Sequence, residues 1–184
     1  MSTNFDHPSQ ISGGCLCGAI RYTIDFSGDS SWPPESSTCQ CTMCRKFTTS
    51  IYPQMLDLST TQVTPRNLST FQTYKEYRSS EKCLRGFCST CGSSLIFRCE
   101  ETPDRICFFL GTVDEEVLVG AKVAGSDRKT EFGVVWERKG GIGKVLATPN
   151  SDQLYWENAI PGVSDLLKDG KRYLADTGNG KALG

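Results

Sequence analysis

With 184 residues, 20 basic against 21 acidic side chains and a net charge of −1, the chain can bury one core and has no general field to recruit nucleic acid or an anionic membrane, so a small-molecule substrate is its expected partner. No apolar run approaches the ~20 residues of a membrane helix. The ten cysteines follow a polar start, which points to a reducing, cytoplasmic setting where clustered thiols bind metal or react rather than pair as disulfides.

In chain order, residues 1–14 read as a flexible lead-in containing the single histidine, His7. That placement excludes Ser-His-Asp and Cys-His catalysis in ordinary form and the usual His-rich zinc sites. Two-residue alternation with β-branched and aromatic residues then predicts strands at 19–24, 70–78, 94–98, 106–110 and 143–147. Hairpins are expected to turn at Ser79 to Lys82 and at Gly140 and Gly141. Helical candidates are confined to short turns after Cys41 and over 161–167, and 176–184 reads as a glycine-rich tail. The expectation is one mainly β domain over 15–175, built of short antiparallel strands and long loops.

The cysteines fall into groups. Cys15 and Cys17 project to one face of an extended segment, and Cys88 and Cys91 form a Cys-x-x-Cys knuckle. Together they offer the four thiolates of a closed structural zinc site. In each pair a glycine follows, Gly18 or Gly92, able to turn amide hydrogens back toward sulfur. Cys39, Cys41 and Cys44 form a three-thiol set with no tightly spaced fourth cysteine. Three protein ligands and an open position are the arrangement of a catalytic zinc. Arg45 and Lys46 follow directly, as candidates to favour thiolates or hold a substrate carboxylate, or as solvated charge. Two alternatives for this cluster are a second structural zinc with a distant fourth ligand and a continuous cysteine-rich surface. Cys83, Cys99 and Cys107 read as small buried apolar residues, any of which is available as that distant ligand. Phe71, Tyr74, Tyr77, Phe97, Phe108 and Phe109 read as core or sheet face.

The segments GGCLCGAIRY, CQCTMCRKFTTS, YRSSEKCLRGFCSTCGSSLIFR and PDRICFFLGTVDE, in that order and spacing, resemble the glutathione-dependent formaldehyde-activating family, or CENP-V/GFA domain, over roughly residues 12–116, with a looser match at 153–167. The resemblance implies a β-tent fold, a structural zinc on Cys15, Cys17, Cys88 and Cys91, and a catalytic zinc on Cys39, Cys41 and Cys44. That makes two zinc ions per chain. It further implies carbon–sulfur lyase chemistry, exemplified by joining glutathione, as co-substrate, to formaldehyde. The chain departs from the family in Gln40 and Gln153, where histidine is common, in Thr48-Thr49-Ser50, where Thr-Gly-Ser is common, and in an elaboration over 117–150. Two further readings are a lyase or isomerising enzyme acting on a larger metabolite without glutathione, its pocket shaped by the elaboration, and a non-catalytic zinc-stabilised binding module.

Overall fold

The computed structural model describes residues 7–28, 32–177 and 182–183. Residues 1–6 of the expected lead-in lie outside them. Within the remainder of that lead-in, Ile11 goes into the core, and β1 (Gln10–Gly14) forms there. It pairs antiparallel with β2 (Arg21–Asp25), and β5 (Val63–Thr64) pairs with the far side of β2. These three strands make a small sheet.

The larger sheet has nine strands. Its first half is laid down by β3 (Glu35–Cys39), then the helix α1 (Thr42–Thr48), then β4 (Gln54–Ser59). A meander follows of β6 (Tyr74–Arg78), β7 (Cys83–Cys88), β8 (Ser94–Cys99) and β9 (Arg105–Phe109). The hairpin expected at Ser79 to Lys82 joins β6 to β7, in the register Arg78 opposite Leu84. Beyond α2 (Glu115–Val119) come β10 (Ala121–Lys122), β11 (Arg128–Thr130), β12 (Gly133–Val135) and β13 (Arg138–Lys139). Then follow α3 (Gly143–Ala147), β14 (Asp152–Leu154), β15 (Lys171–Tyr173) and β16 (Ala182–Leu183). The spatial order is β16-β15-β14-β3-β4-β9-β8-β7-β6.

The fold is mainly β, and most pairings are antiparallel, but β14 runs parallel to both β3 and β15. The two sheets meet through Tyr22 and Phe108, whose ring centroids lie 4.2 Å apart, and the Tyr22 hydroxyl shares a 2.7 Å hydrogen bond with Thr112 Oγ1. Ile20, Ile24, Leu56, Leu95, Ile96 and Leu146 close the core around them. Tyr74 and Phe108 are core residues as expected, whereas Tyr77 is 45 % exposed.

Two expectations fail within the elaboration. Residues 143–147 form α3 and not a strand: Ile142 and Leu146, four apart, turn inward, while Val145 between them is exposed. The inward face therefore repeats with helical spacing. The Gly140 and Gly141 turn does not join two paired strands either. Before it, β13 pairs with β10 from the other side of the elaboration, and after it the chain enters α3. At 161–167 a single turn forms, with the amides of Val163 and Ser164 on the Ile160 carbonyl.

Candidate metal centres and the adjoining cavity

The first cluster gathers Cys15 and Cys17, from the loop leaving β1, with Cys88, the last residue of β7, and Cys91. All four sulfurs lie within 4.8 Å of one another. Gly18 and Gly92 hold φ of +76° and +77°, a backbone region closed to most side chains, and each turns its loop back on itself. Gly18 N–H donates to the Cys15 carbonyl and Gly92 N–H to the Cys88 carbonyl. The Ile20 amide points at Cys15 Sγ, 3.3 Å away. Hydrogen bonds from the Ser93 hydroxyl and amide hold the Cys91 thiol down to about 5, so this sulfur is a ready thiolate.

The second cluster brings together Cys39 at the end of β3, Cys41 and Cys44. Cys41 caps α1: its backbone is extended and its sulfur accepts from the Cys44 amide at 3.3 Å. Thr49 closes the helix in the left-handed region at φ +55°. The three sulfurs lie within 4.8 Å of one another, and the residues are only 4–6 % exposed. Hydrogen bonds from the Cys39 and Cys44 thiols push Cys41 far below the ordinary thiol range, and the contact with Cys41 pushes Cys39 far above it. Among the described residues no fourth His, Cys, Asp or Glu joins this set. Cys107 packs against it from β9 without entering it.

Sequence reasoning missed the cluster's cationic neighbour. Arg85, on β7 and 2 % exposed, donates from Nη2 to Cys44 Sγ at 3.3 Å and from Nη1 to Ser79 Oγ. Its guanidinium lies 5.1 Å from the centroid of Phe97 and 5.9 Å from that of Phe47. A lone arginine among the inward-facing residues of a strand was the available signal. By contrast, Arg45 is turned to the chain itself, donating to the Ile51 carbonyl at 3.2 Å, the Asn158 carbonyl at 2.6 Å and Gln40 Oε1 at 3.0 Å. Lys46 is exposed beside a shallow groove that Phe47, Tyr77 and Phe87 also line.

Gln40 and Gln153 are both fully buried, and each clasps the C-terminal segment. Gln40 donates to the Ser164 carbonyl and accepts from the Ser164 hydroxyl at 2.6 Å. Gln153 donates to the carbonyls of Leu167 and Asp169 and accepts from the Tyr52 hydroxyl at 3.0 Å. Tyr155, directly after β14 and at φ +55°, packs against the three cysteines. A cavity of about 810 Å³ adjoins the cluster. Phe47 and Phe109 line it and also pack on the Cys39, Cys41 and Cys44 cluster, while Cys91 and Ser93 of the first centre line it directly. Thr48, Thr49, Ser50 and Ser94 supply hydroxyls, and α2 and α3 contribute Leu118, Val119 and Lys144.

These donor sets suit a borderline-soft cation. Four clustered thiols match a closed tetrahedral site, and three match one with a free position. Among the described residues no helix is long and apolar enough to cross a membrane.

Residues 10–125 match the family described as glutathione-dependent formaldehyde-activating enzyme, a stretch that includes both cysteine clusters and Arg85. Residues 153–167 fall beyond it. No curated protein matches the chain. Among solved structures, a crystal structure of a Rhodobacter sphaeroides protein is similar at 15 % identity, covering 57 % of this chain and 89 % of that one, with a TM-score of 0.44.

Proposed function

The chain belongs to the glutathione-dependent formaldehyde-activating enzyme family, and on that footing we propose that it is a zinc-dependent enzyme of carbon–sulfur lyase type, cytoplasmic, that joins a thiol to a carbonyl compound or releases it. The observation that carries the reading is the three-thiol set, buried under aromatic rings beside a cavity and supplied with a cation by Arg85. Cys39, Cys41 and Cys44 would hold the reactive zinc, and Cys15, Cys17, Cys88 and Cys91 the structural one. A zinc ion held by three protein thiolates supplies Lewis acidity and makes a substrate thiol nucleophilic at neutral pH.

The chain's own residues do the rest. In the addition, the substrate sulfur forms a bond to the carbonyl carbon and the thiol proton ends on the carbonyl oxygen. Three thiolates and a divalent cation sum to a negative charge, and the guanidinium of Arg85 offsets it from a buried position where charge is weakly screened. Phe47, Phe97 and Phe109 keep water from the sulfurs. Arg45 already serves three acceptors in the chain, so the cations open to a substrate carboxylate are Lys144, which lines the cavity, and Lys46, exposed beside the neighbouring groove. A cavity of about 810 Å³ suits a tripeptide-sized thiol such as glutathione as co-substrate. Because Gly143, Lys144 and Ala147, beyond the matched family stretch, wall that cavity, a larger metabolite handled without glutathione is the second reading.

Cys41→Ser tests the assignment. Wild-type protein is expected to carry two zinc ions per chain, and the variant to keep one, stay folded and lose turnover of glutathione with formaldehyde. Loss of both metals with unfolding would make the cluster structural and leave the binding-module reading standing. Wild-type turnover on larger thiol adducts but none on glutathione would favour the second reading.

A further inference from the structure

We infer that Cys83 and Cys99 form a second reactive centre, a dithiol separate from both metal clusters, which exchanges with low-molecular-weight disulfides and closes as a reversible cross-strand disulfide. The two residues stand opposite each other on β7 and β8, with their sulfurs 3.5 Å apart. Neither belongs to the cysteine groups able to hold a cation. The Glu100 amide donates to the Lys82 carbonyl, which flanks the pair and makes it a non-hydrogen-bonded rung of the antiparallel ladder. Rungs of that type bring Cα atoms to ~4.5 Å, within the span a disulfide bridges. Both residues are partly exposed, so a small disulfide reaches them without unfolding.

The chemistry balances in two exchanges. The exchange can open at either partly exposed thiol, here Cys99. Its thiolate attacks one sulfur of the small disulfide, whose S–S bond breaks to release one thiolate. Cys83 then attacks the Cys99 sulfur of the mixed disulfide and expels the second. Two protein thiols have lost two electrons and two protons, and the small disulfide has become two thiols. The next rung on the same face is Arg85 opposite Phe97. The turn preceding Cys83 is bound to both, because the Ser79 amide donates to the Cys83 carbonyl at 2.9 Å and the Ser79 hydroxyl accepts from Arg85. Closing the Cys83 rung therefore fixes the strand segment that presents Arg85 to Cys44.

The test uses full-length metal-loaded protein treated with oxidised glutathione, trapped by alkylation at low pH and mapped by peptide mass spectrometry. The expected product links the Cys83 peptide to the Cys99 peptide, leaves the metal content unchanged and reverts with dithiothreitol. In Cys83→Ser and Cys99→Ser the link falls to background and the remaining thiol carries glutathione instead. Modification confined to the cluster cysteines with loss of metal, free alkylation of both thiols after treatment, or separate glutathione adducts on both without a link would each overturn the inference. Should either serine variant fail to fold, the wild-type peptide map decides alone.

Discussion

Arg85 brings a fixed positive charge to the three-cysteine cluster from a buried position, and among the described residues its Nε has no hydrogen-bond partner. Outer partners of metal ligands typically hold about 10–100-fold in metal affinity. Arg85→Met is therefore expected to weaken zinc binding at Cys39, Cys41 and Cys44 by about that factor, with Arg85→Lys between it and wild type. Competition with a chromogenic chelator measures this, and the four-cysteine centre serves as the internal control. Unaltered retention in Arg85→Met would remove Arg85 from the site. At this scale the candidate ligands were legible because their spacing is local: Cys15 with Cys17, Cys88 with Cys91, and the trio around Cys41. Arg85 was not, because its partner Cys44 lies 41 residues away. The same holds for Gln40 and Gln153, whose clasps depend on carbonyls brought in by a later segment. Cys83 and Cys99, read singly as buried fillers, are a pair only because the β7 and β8 register makes them one.

Elements tell a similar story. Strands at 94–98 and 106–110 were legible from their aromatic and β-branched content, and the structure extends or shifts each by one residue. By contrast β3, which carries Cys39, reads ESSTC and has no apolar signal at all. Its hydroxyls are buried because neighbours accept from them, as the Leu146 carbonyl does from Ser36 at 2.7 Å. GKVLA was misread because valine and leucine serve either period and the segment is too short to decide. The burial pattern of α3 has a clean consequence. Val145→Lys is expected to change stability by less than about 0.5 kcal/mol, and Leu146→Ala to cost about 2–5 kcal/mol in urea unfolding. Equal costs at the two positions would contradict the outward Val145 and inward Leu146 of the structure. At the start of α2, Asp114 accepts from Arg21 on β2 and from Ser12 on β1 at 2.5 Å. Hydrogen bonds from Arg21 hold its carboxyl below the usual range. Its stabilising effect is therefore present above the ordinary carboxylate pKa and is lost as pH falls through the depressed folded value. Asp114→Asn is expected to cost about 0.5–1 kcal/mol at neutral pH, since the pair is partly solvated, and the deficit should vanish in acid. A deficit independent of pH, measured against wild type at each point, would exclude this ionic origin.

For the whole molecule, two-residue periodicity was enough to identify a mainly β chain but not the order of its strands. Six neighbours, β3, β4, β9, β8, β7 and β6, come from residues 35–109, and the matched family stretch includes them all. The place of β14 beside β3 was invisible, because Gln153 meets Thr38 across 115 residues of sequence. That parallel pairing sets a schedule for synthesis. Everything that gathers the three thiols is made by the end of β9, yet the Leu154 and Tyr155 wall that covers them comes roughly 45 residues later. At ~5–20 residues per second, this leaves about 2–9 s in which the outer edge of β3 is bare and a cation can enter from the side that is afterwards shut. Ribosome-bound chains halted after Pro149 are thus expected to show Cys39, Cys41 and Cys44 open to alkylation and shielded by added zinc. Finished apo chains should take up the metal far more slowly, and equal uptake rates in the two would mean that the late strand is no barrier to loading.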